Sequence, residues 1–448
     1  MANKSFKTNI AHRTVHLVSL GCTKNLIDSE VMLGRLNGYK IVDEPEDADV
    51  IIVNTCGFIQ SAKEESLNTI LDMDRRRKQN SVLVMSGCLS ERYKDELQEQ
   101  LTEVDIFTGV GDYDKIDELV EAKRSQFSPK VFLADETLDR VVTGSNFHAY
   151  IKLSEGCNQT CAFCAIPNFK GKLQSRTIES IVIEVTNMVQ NGYYDFSFVS
   201  QDSSSYLRDL GFNDGCEQLI DAIENIDGVK SARILYLYPS TTTSNLIDKI
   251  AQSKIFHTYY DMPLQHISSN MLKVMKRGKG AEKLKELMQQ MKDIPDSFIR
   301  STFIVGHPGE TQEDFDELCN YVQEFGFDRA NVFSYSDEED TSAYERADKI
   351  PQDIIDQRAD ILGEIITKST QNSLEKEIGK TFEIVLEGQS DEHEYLLSAR
   401  KLAWEKEIDG EIYINDNELD EQLQYGKIYK AKITELVGDK LLGTIVYV

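Results

Sequence analysis

The chain has 448 residues, enough for about three domains at the usual ~150 residues each. Lys and Arg number 49 against 76 Asp and Glu, and the formal charge of −27 argues against a broad phosphate-binding surface. With 40% hydrophobic and 28% charged residues it reads as an ordinary folded chain, and no apolar run approaches the ~18 residues of a membrane span.

The first thirteen residues are polar and mildly basic, without the apolar stretch of a secretory signal, which points to the cytoplasm. From residue 14 to about 140, short β-branched runs at 14–20, 50–54, 82–86 and 105–110 alternate with amphipathic stretches. That alternation predicts an open parallel α/β sheet with helical crossovers. A second series begins near Ala149 and continues at 196–200, 233–238, 257–261, 298–305 and 331–334, each run followed by room for a helix. Six βα units fall short of the eight of a closed barrel, so the expectation is a partial (βα)6 barrel.

An acidic loop at 336–345 precedes a closing helix over 351–379, with apolar spacing at Ile354, Ile355, Ala359, Ile361, Leu362, Ile365 and Ile366. From Lys380 the period changes to two, with turn signals at Gly388, Gly410, Gly426 and Gly438. This predicts about five short strands in a small antiparallel β-barrel. The expected division is 1–140, 141–379 and 380–448.

Eight cysteines are too few and too unevenly placed for a disulfide framework, and three of them fall within eight residues. Cys157, Cys161 and Cys164 form a CxxxCxxC run directly after the first barrel strand. Thiolates are soft donors that select zinc or iron–sulfur clusters. Zinc wants four ligands, the nearest further candidates being His148 and Cys216, and an ordinary cubane also takes four. A three-cysteine cubane leaves one iron open to chelate a ligand.

Cys22, Cys56 and Cys88 each lie just past the carboxyl end of a predicted parallel strand, the edge where open α/β sheets bind ligands. A single one would read as a buried core cysteine. Three in equivalent positions could hold a second cluster. Cys216 and Cys319 lie in helical stretches and are expected in the core.

Two cysteine triads, a six-unit barrel and a small terminal β domain together resemble the methylthiotransferase family of radical S-adenosylmethionine (SAM) enzymes. The resemblance spans essentially the whole chain. It rests on SLGCTKNLIDSE at 19–30, NTCGF at 54–58, GCN at 156–158, CAIP at 164–167, Gly171-Lys172 with Ser175-Arg176, DMPLQH at 261–266 and FIVGHPGE at 303–310. It implies a [4Fe–4S] cluster on Cys157, Cys161 and Cys164 that reduces SAM to a 5′-deoxyadenosyl radical. It further implies a second [4Fe–4S] cluster on Cys22, Cys56 and Cys88, where a first SAM methylates the sulfur to be delivered. A low-potential electron donor of flavodoxin or ferredoxin type is implied too.

The same resemblance makes Phe163 a neighbour of the cluster and SAM, although it also reads as a core aromatic. Gln201 and Gln265, followed by His266, end barrel strands, where they are either cofactor contacts or polar strand termini. The resemblance places SAM near Gly306, Pro308, Gly309 and Glu310, while Glu310 also suits the first turn of a helix. Arg176 either holds the SAM carboxylate or pairs with a glutamate of the next helix. His307, Leu207 and Asp340 depart from the family wording, which more often has Phe at the first and Gly at the other two.

The wording SLGCTKN with CAIPNFKGK is similar to the branch that modifies an aspartate β-carbon of small-subunit ribosomal protein number twelve. The sister branch modifies a tRNA adenosine. The last domain resembles the TRAM barrel that many relatives use on RNA, yet residues 380–448 carry eight Lys and Arg against fifteen Asp and Glu, net −7. An acidic barrel suits a basic partner such as a ribosomal protein or the small subunit better than tRNA. Trp404, the one tryptophan, either anchors a partner or plugs the barrel.

Overall fold

A computed structural model describes residues 13–406, 408–420 and 422–447. The polar start of the chain up to position 12 and Glu407, three positions after Trp404 in the sequence, lie outside the described residues. Internal contacts divide the chain into two compact units, residues 1–143 with 165–172 and residues 144–164 with 173–448.

In the first unit, β1 Thr14–Ser19, β2 Lys40–Ile41, β3 Val50–Thr55, β4 Val82–Gly87 and β5 Ile106–Phe107 form one sheet in the order β2-β1-β3-β4-β5. Every pairing in it is parallel. Its helices are α1 Thr23–Arg35, α2 Gln60–Arg76, α3 Cys88–Arg92, α4 Lys94–Gln100, α5 Ile116–Ala122 and α6 Ile166–Lys170. Strands β3 and β4 are buried along their length because a core covers each face. Ile52 and Val84 pack with Met32 and Ile116 on one side, while Ile51, Val53, Leu83 and Met85 pack with Ile70 on the other. The expected strand at 105–110 shortens to β5, because the chain from Thr108 onward pairs with the returning segment at Gln126 and Phe132 instead.

The second unit opens with β6 His148–Lys152 and the short antiparallel pair β7 Ser154–Glu155 and β8 Gln174–Ser175. It continues with α7 Ile178–Gln190, β9 Asp195–Val199, α8 Gly215–Glu224, β10 Ser231–Ile234, α9 Ser244–Gln252 and β11 Tyr259–Asp261. After α10 Ser269–Val274 and α11 Ala281–Asp293 come β12 Phe298–Val305, α12 Gln312–Phe325 and β13 Arg329–Ser334. These are the six expected strands, arranged as two parallel halves, β10-β9-β6 and β11-β12-β13. The ladder between β10 and β11 is interrupted where Tyr236 adopts a left-handed φ of 61° that no strand can continue. The two halves stay joined by Leu237 N–H donating to the Asp261 carbonyl at 2.8 Å and Tyr236 N–H donating to the Asp261 carboxylate at 3.0 Å.

The closing helix is α13 Gln352–Glu375. Its buried face runs through Ile355, Arg358, Leu362, Ile366 and Ser369, one residue per turn, while Ile361 is exposed. The last five strands, β14 Thr381–Gln389, β15 Leu397–Lys401, β16 Ile412–Asn417, β17 Ile428–Val437 and β18 Lys440–Ile445, close a barrel in the order β14-β15-β16-β18-β17. Four of its contacts are antiparallel and β16 with β18 is parallel. A closed ring of five strands cannot alternate direction at every neighbour, so one pair departs from the antiparallel expectation.

The loop between β15 and β16 reaches the amino-terminal ends of β6, β9 and β10. Glu405 is buried there against Tyr150, Ser197 and Arg233, Asp409 is buried beside it and accepts the Glu405 N–H at 2.7 Å, and Arg400 at the end of β15 is buried against Asp195. Trp404 is 2% exposed, lies beside Phe298 at 5.9 Å and has the Arg329 guanidinium 5.1 Å over its ring. Of the two roles open for it in the sequence, Trp404 takes that of a plug.

Candidate active site

The first cysteine triad sits on the carboxyl edge of three adjacent strands. Cys22 caps α1 shortly after β1, Cys56 follows β3 directly, and Cys88 opens α3 directly after β4. Close backbone packing stitches their loops together. A Cβ on Gly21 would lie 2.7 Å from Cβ of Cys56, and one on Gly57 would lie 2.7 Å from Cα of Leu89. The Cys88 thiol donates to Asn25 Oδ1 at 3.6 Å, and the Asn25 amide in turn donates to the Leu20 and Thr55 carbonyls at 3.1 Å. Cys22 is exposed, Cys56 half-buried and Cys88 buried. Burial pushes the Cys56 thiol up to about 11.

The second triad occupies the loop after β7. Gly156 turns the chain at φ 76°, and the Cys164 N–H closes the loop on the Cys161 carbonyl at 3.2 Å. Cys157, Cys161 and Cys164 are all half-buried, and burial pushes the Cys157 thiol up to about 12. Cys157 Sγ accepts from the Gln159 N–H at 3.4 Å, and Cys161 Sγ lies 3.4 Å from the Tyr238 hydroxyl. A metal that binds such thiols takes them as thiolates, offsetting the cost that burial places on the charge.

Neither further ligand candidate joins this loop. His148 begins β6, at the other end of the strand from the cysteines, with Nε2 2.9 Å from Ser197 Oγ. Cys216 is buried in α8 and donates to the Ser203 carbonyl at 3.0 Å, whereas Cys319 is half-buried rather than in the core. Among the described residues no three Cys, His, Asp or Glu side chains gather closely enough for one metal ion. A cubane makes a different demand, since it spreads its thiolates over separate iron atoms, and three soft donors on one loop fit it.

Around this loop the barrel edge supplies polar groups. Gln201 donates to Glu155, whose other oxygen takes a 2.8 Å bond from Lys152, and all of Lys152 and Glu155 is buried. Gln159 donates to Asp202 at 2.8 Å. The side-chain oxygens of Gln201 and Gln265 are buried acceptors without a donor. Gln265 is also held at a left-handed φ of 68°, strain of a kind that collects at ligand sites. Two such oxygens fit the amine or hydroxyl donors of a ligand.

Phe163 meets His307 edge-on at 6.3 Å, and His307 meets Tyr335 at 5.1 Å. His307 is fully buried and fills an aromatic's place, with burial pushing its imidazole down to about 4, so it is neutral at pH 7. Glu310 is buried, its carboxylate shared by Gly306 N–H at 2.7 Å, Arg358 at 2.5 Å and His266 at 3.2 Å. For Arg176 the structure builds the second alternative, an ion pair with Glu184 of α7, with Ser180 and the Lys152 carbonyl as further acceptors. Leu207 and Asp340, where glycine was expected, stand at φ 65° and 63°, the region that favours glycine.

Lys152, Glu155 and Asp202 escaped sequence reasoning. Glu155 stands two residues before Cys157 and Asp202 directly after Gln201, so their place beside the quoted motifs was the available signal.

Residues 14–109 match the family described as uncharacterized protein family UPF0004, residues 151–322 the radical SAM superfamily, and residues 378–446 the TRAM domain. A ribosomal protein uS12 methylthiotransferase RimO of Aliarcobacter butzleri is 67% identical over 98% of this chain and 99% of its own length. The chain belongs to the RimO methylthiotransferase family. RimO relatives from Sulfurovum sp. and Campylobacter jejuni are 63% and 54% identical, over 97% and 96% of this chain and 99% and 97% of theirs. Family membership makes the chain an enzyme, a transferase, with an iron–sulfur cluster and SAM as the cofactors of its radical SAM region. In fold it is similar to the radical SAM methyltransferase TsrM of Kitasatospora setae, solved with cobalamin and a [4Fe–4S] cluster. The TM-score is 0.52 at 14% identity, over 72% of each chain. No helix of the described residues is long and apolar enough to cross a membrane.

Proposed function

We propose that this chain inserts a methylthio group at the β-carbon of an aspartate in ribosomal protein uS12, using two [4Fe–4S] clusters and two SAM per turnover. The observation that carries the reading is near-full-length identity of 67% to a uS12 methylthiotransferase, in a chain with two separate cysteine triads at strand ends. In this reading Cys157, Cys161 and Cys164 hold one cluster and Cys22, Cys56 and Cys88 the other. Bound there, cluster and SAM supply a radical able to break an unactivated C–H bond, which no side-chain acid or base achieves at a useful rate.

The chain's own residues bind and orient. The free oxygens of Gln201 and Gln265 accept from the amine and hydroxyls of SAM, while Phe163 covers it and keeps water out. Gly306, at φ 80°, packs so closely on Ile355 of α13 that a Cβ would lie 2.5 Å from it, and Glu310 fixes that turn at the end of β12 through Gly306 N–H, His266 and Arg358. Arg176 braces the β8 end through Glu184. Residues 1–140 carry the sulfur-delivering site, 141–379 the radical site and 380–448 the substrate-facing barrel. The net −7 of that barrel supports a basic partner, uS12 alone or in the small subunit, over tRNA. Electrons come from a low-potential flavodoxin or ferredoxin type donor, and the reaction runs in the cytoplasm.

The test is mass spectrometry after anaerobic reconstitution, with SAM, sulfide and a low-potential reductant, on small subunits and on unmodified tRNA. A methylthio increment on one uS12 aspartate, lost in Cys22→Ala and in Cys161→Ala, is expected. An increment on a tRNA adenosine instead would keep the chemistry and overturn the substrate.

A further inference from the structure

Arg277 is 5% exposed, and its guanidinium has no carboxylate within 4.0 Å among the described residues. Its neighbours are Cys161 Sγ, 3.4 Å from Nη1, the Pro263 carbonyl, and the face of Tyr238, whose ring centre is 4.2 Å from the guanidinium carbon. Nε has no acceptor at all. The other buried arginines are all paired: Arg176 with Glu184, Arg233 and Arg400 with Asp195, Arg300 with Asp261 and Arg358 with Glu310. Leaving a guanidinium in a dry interior without an anion is strongly unfavourable, so a charge kept there calls for one.

The placement of Arg277 is built in. Its residue follows Lys276, which takes a left-handed φ of 55° despite its side chain, and Gly278 at 68° completes the turn. Just before that turn, the Met275 carbonyl accepts the N–H of Ala162 at 3.0 Å, tying this segment to the cysteine loop. Tyr238 is 6% exposed and holds its hydroxyl 3.4 Å from the same Cys161 sulfur. A cation and a hydroxyl thus converge on one of three candidate ligands, and the ring of one stacks on the charge of the other.

We propose that Arg277, stacked on Tyr238, is the counter-cation of the cluster held by Cys157, Cys161 and Cys164, and raises the potential at which that cluster accepts an electron. This rests on the proposed assignment of that triad as cluster ligands. Three thiolates around a [4Fe–4S]2+ core leave a net negative charge, and one electron from the low-potential donor makes it more negative by one. A fixed positive charge and hydrogen bonds at the sulfur stabilise the reduced form more than the oxidised one. Arg277 and Tyr238 are therefore positioning residues: they act on the electron step and touch no substrate.

The experiment is a redox titration followed by electron paramagnetic resonance. It uses the full chain with Cys22, Cys56 and Cys88 changed to Ala, so that one cluster is read, with iron and sulfide determined for each sample. In Arg277→Met the reduced-to-oxidised ratio at a fixed potential is expected to fall about tenfold, a midpoint lowered by ~59 mV for one electron. Tyr238→Phe, which keeps the ring and removes the hydroxyl, lowers it less, and Arg277→Lys restores part of the loss. A loaded Arg277→Met chain with the parent midpoint overturns the proposal. If that variant holds no iron, Arg277→Gln, which removes the charge but keeps a polar side chain, and Tyr238→Phe decide, and unchanged midpoints in both overturn it. A parent that binds no iron refutes instead the assignment of the triad beneath it.

Discussion

Tyr150, in the floor of the partial barrel, donates a 2.5 Å hydrogen bond to Oε1 of Glu405, 255 positions later in the loop of the C-terminal barrel. Oε2 of the same carboxylate accepts from Ser197 at 2.5 Å. Beside it Asp195 lies between Arg233 at 2.7 Å and Arg400. Every member of this network is buried, so the last barrel is fastened to the floor by charges that satisfy one another.

Removing the shared anion should be costly. Asp195→Ala leaves Arg233 with Glu405 at 3.5 Å and Arg400 with Glu387 at 2.8 Å as their remaining anions, and a loss of about 3 kcal/mol of stability, the low end for a broken buried pair, is expected by urea denaturation. A double change of Asp195→Ala with Arg400→Met, which also removes one of the two cations that lost their shared anion, should recover part of that loss.

Acid should weaken the same floor. Burial pushes His148 down to about 4 and His257 to about 3, so below pH 6.5 the unfolded chain takes up two protons that the folded chain refuses. Asp409 opposes them, since burial raises it to about 6 and the folded chain binds its proton first. The balance is one proton in favour of unfolding, and Asp195 and Glu405, both held low, add to it toward the lower end. With His307, also held near 4 by burial, the chain as a whole has two net protons in favour of unfolding, so stability should fall between pH 6 and 4 by about 2.7 kcal/mol per pH unit, followed by chemical denaturation across that range. His148→Gln should flatten the slope.

Gly21 has no room for a side chain. At φ 84°, with Cβ of Cys56 2.7 Å from where its own would stand, Gly21→Ala must push the Cys22 and Cys56 loops apart. Iron per reconstituted chain should drop by about half, with reductive SAM cleavage retained. Full iron content in Gly21→Ala would count against the Cys22, Cys56 and Cys88 assignment.

Asp340 is exposed at φ 63°, a conformation that strains most side chains by about 1 kcal/mol. Asp340→Gly relieves that strain while adding unfolded-chain entropy, so thermal unfolding should place it level with or slightly above the parent. Asp340→Val, β-branched at the same φ, should fall below it by ~1–2 kcal/mol.

Local pattern determined much of this protein. The apolar runs of β3 and β4, the six barrel strands, the helix after Pro351 and the five final strands follow from periodicity, because each is set by which face must be buried. Spacing alone put Cys157, Cys161 and Cys164 on one loop, since eight residues cannot carry them far apart. The left-handed turns at Leu207 and Asp340 left only a trace, an absent glycine, with no sign of how the backbone bends there.

What the tertiary structure decided were the partnerships across distance. Glu310 was a candidate cofactor contact, and its carboxylate proves to be shared with Arg358, 48 residues away on a helix face that reads as apolar. Trp404 became a plug because the barrel floor supplied Phe298 and Arg329 around it. The parallel closure of β16 on β18 comes from the geometry of a five-membered ring, which no strand signals by itself. Burial pattern is written locally in the chain, whereas charge pairing depends on which distant segments the fold brings within a few ångströms, and only the folded chain settles that.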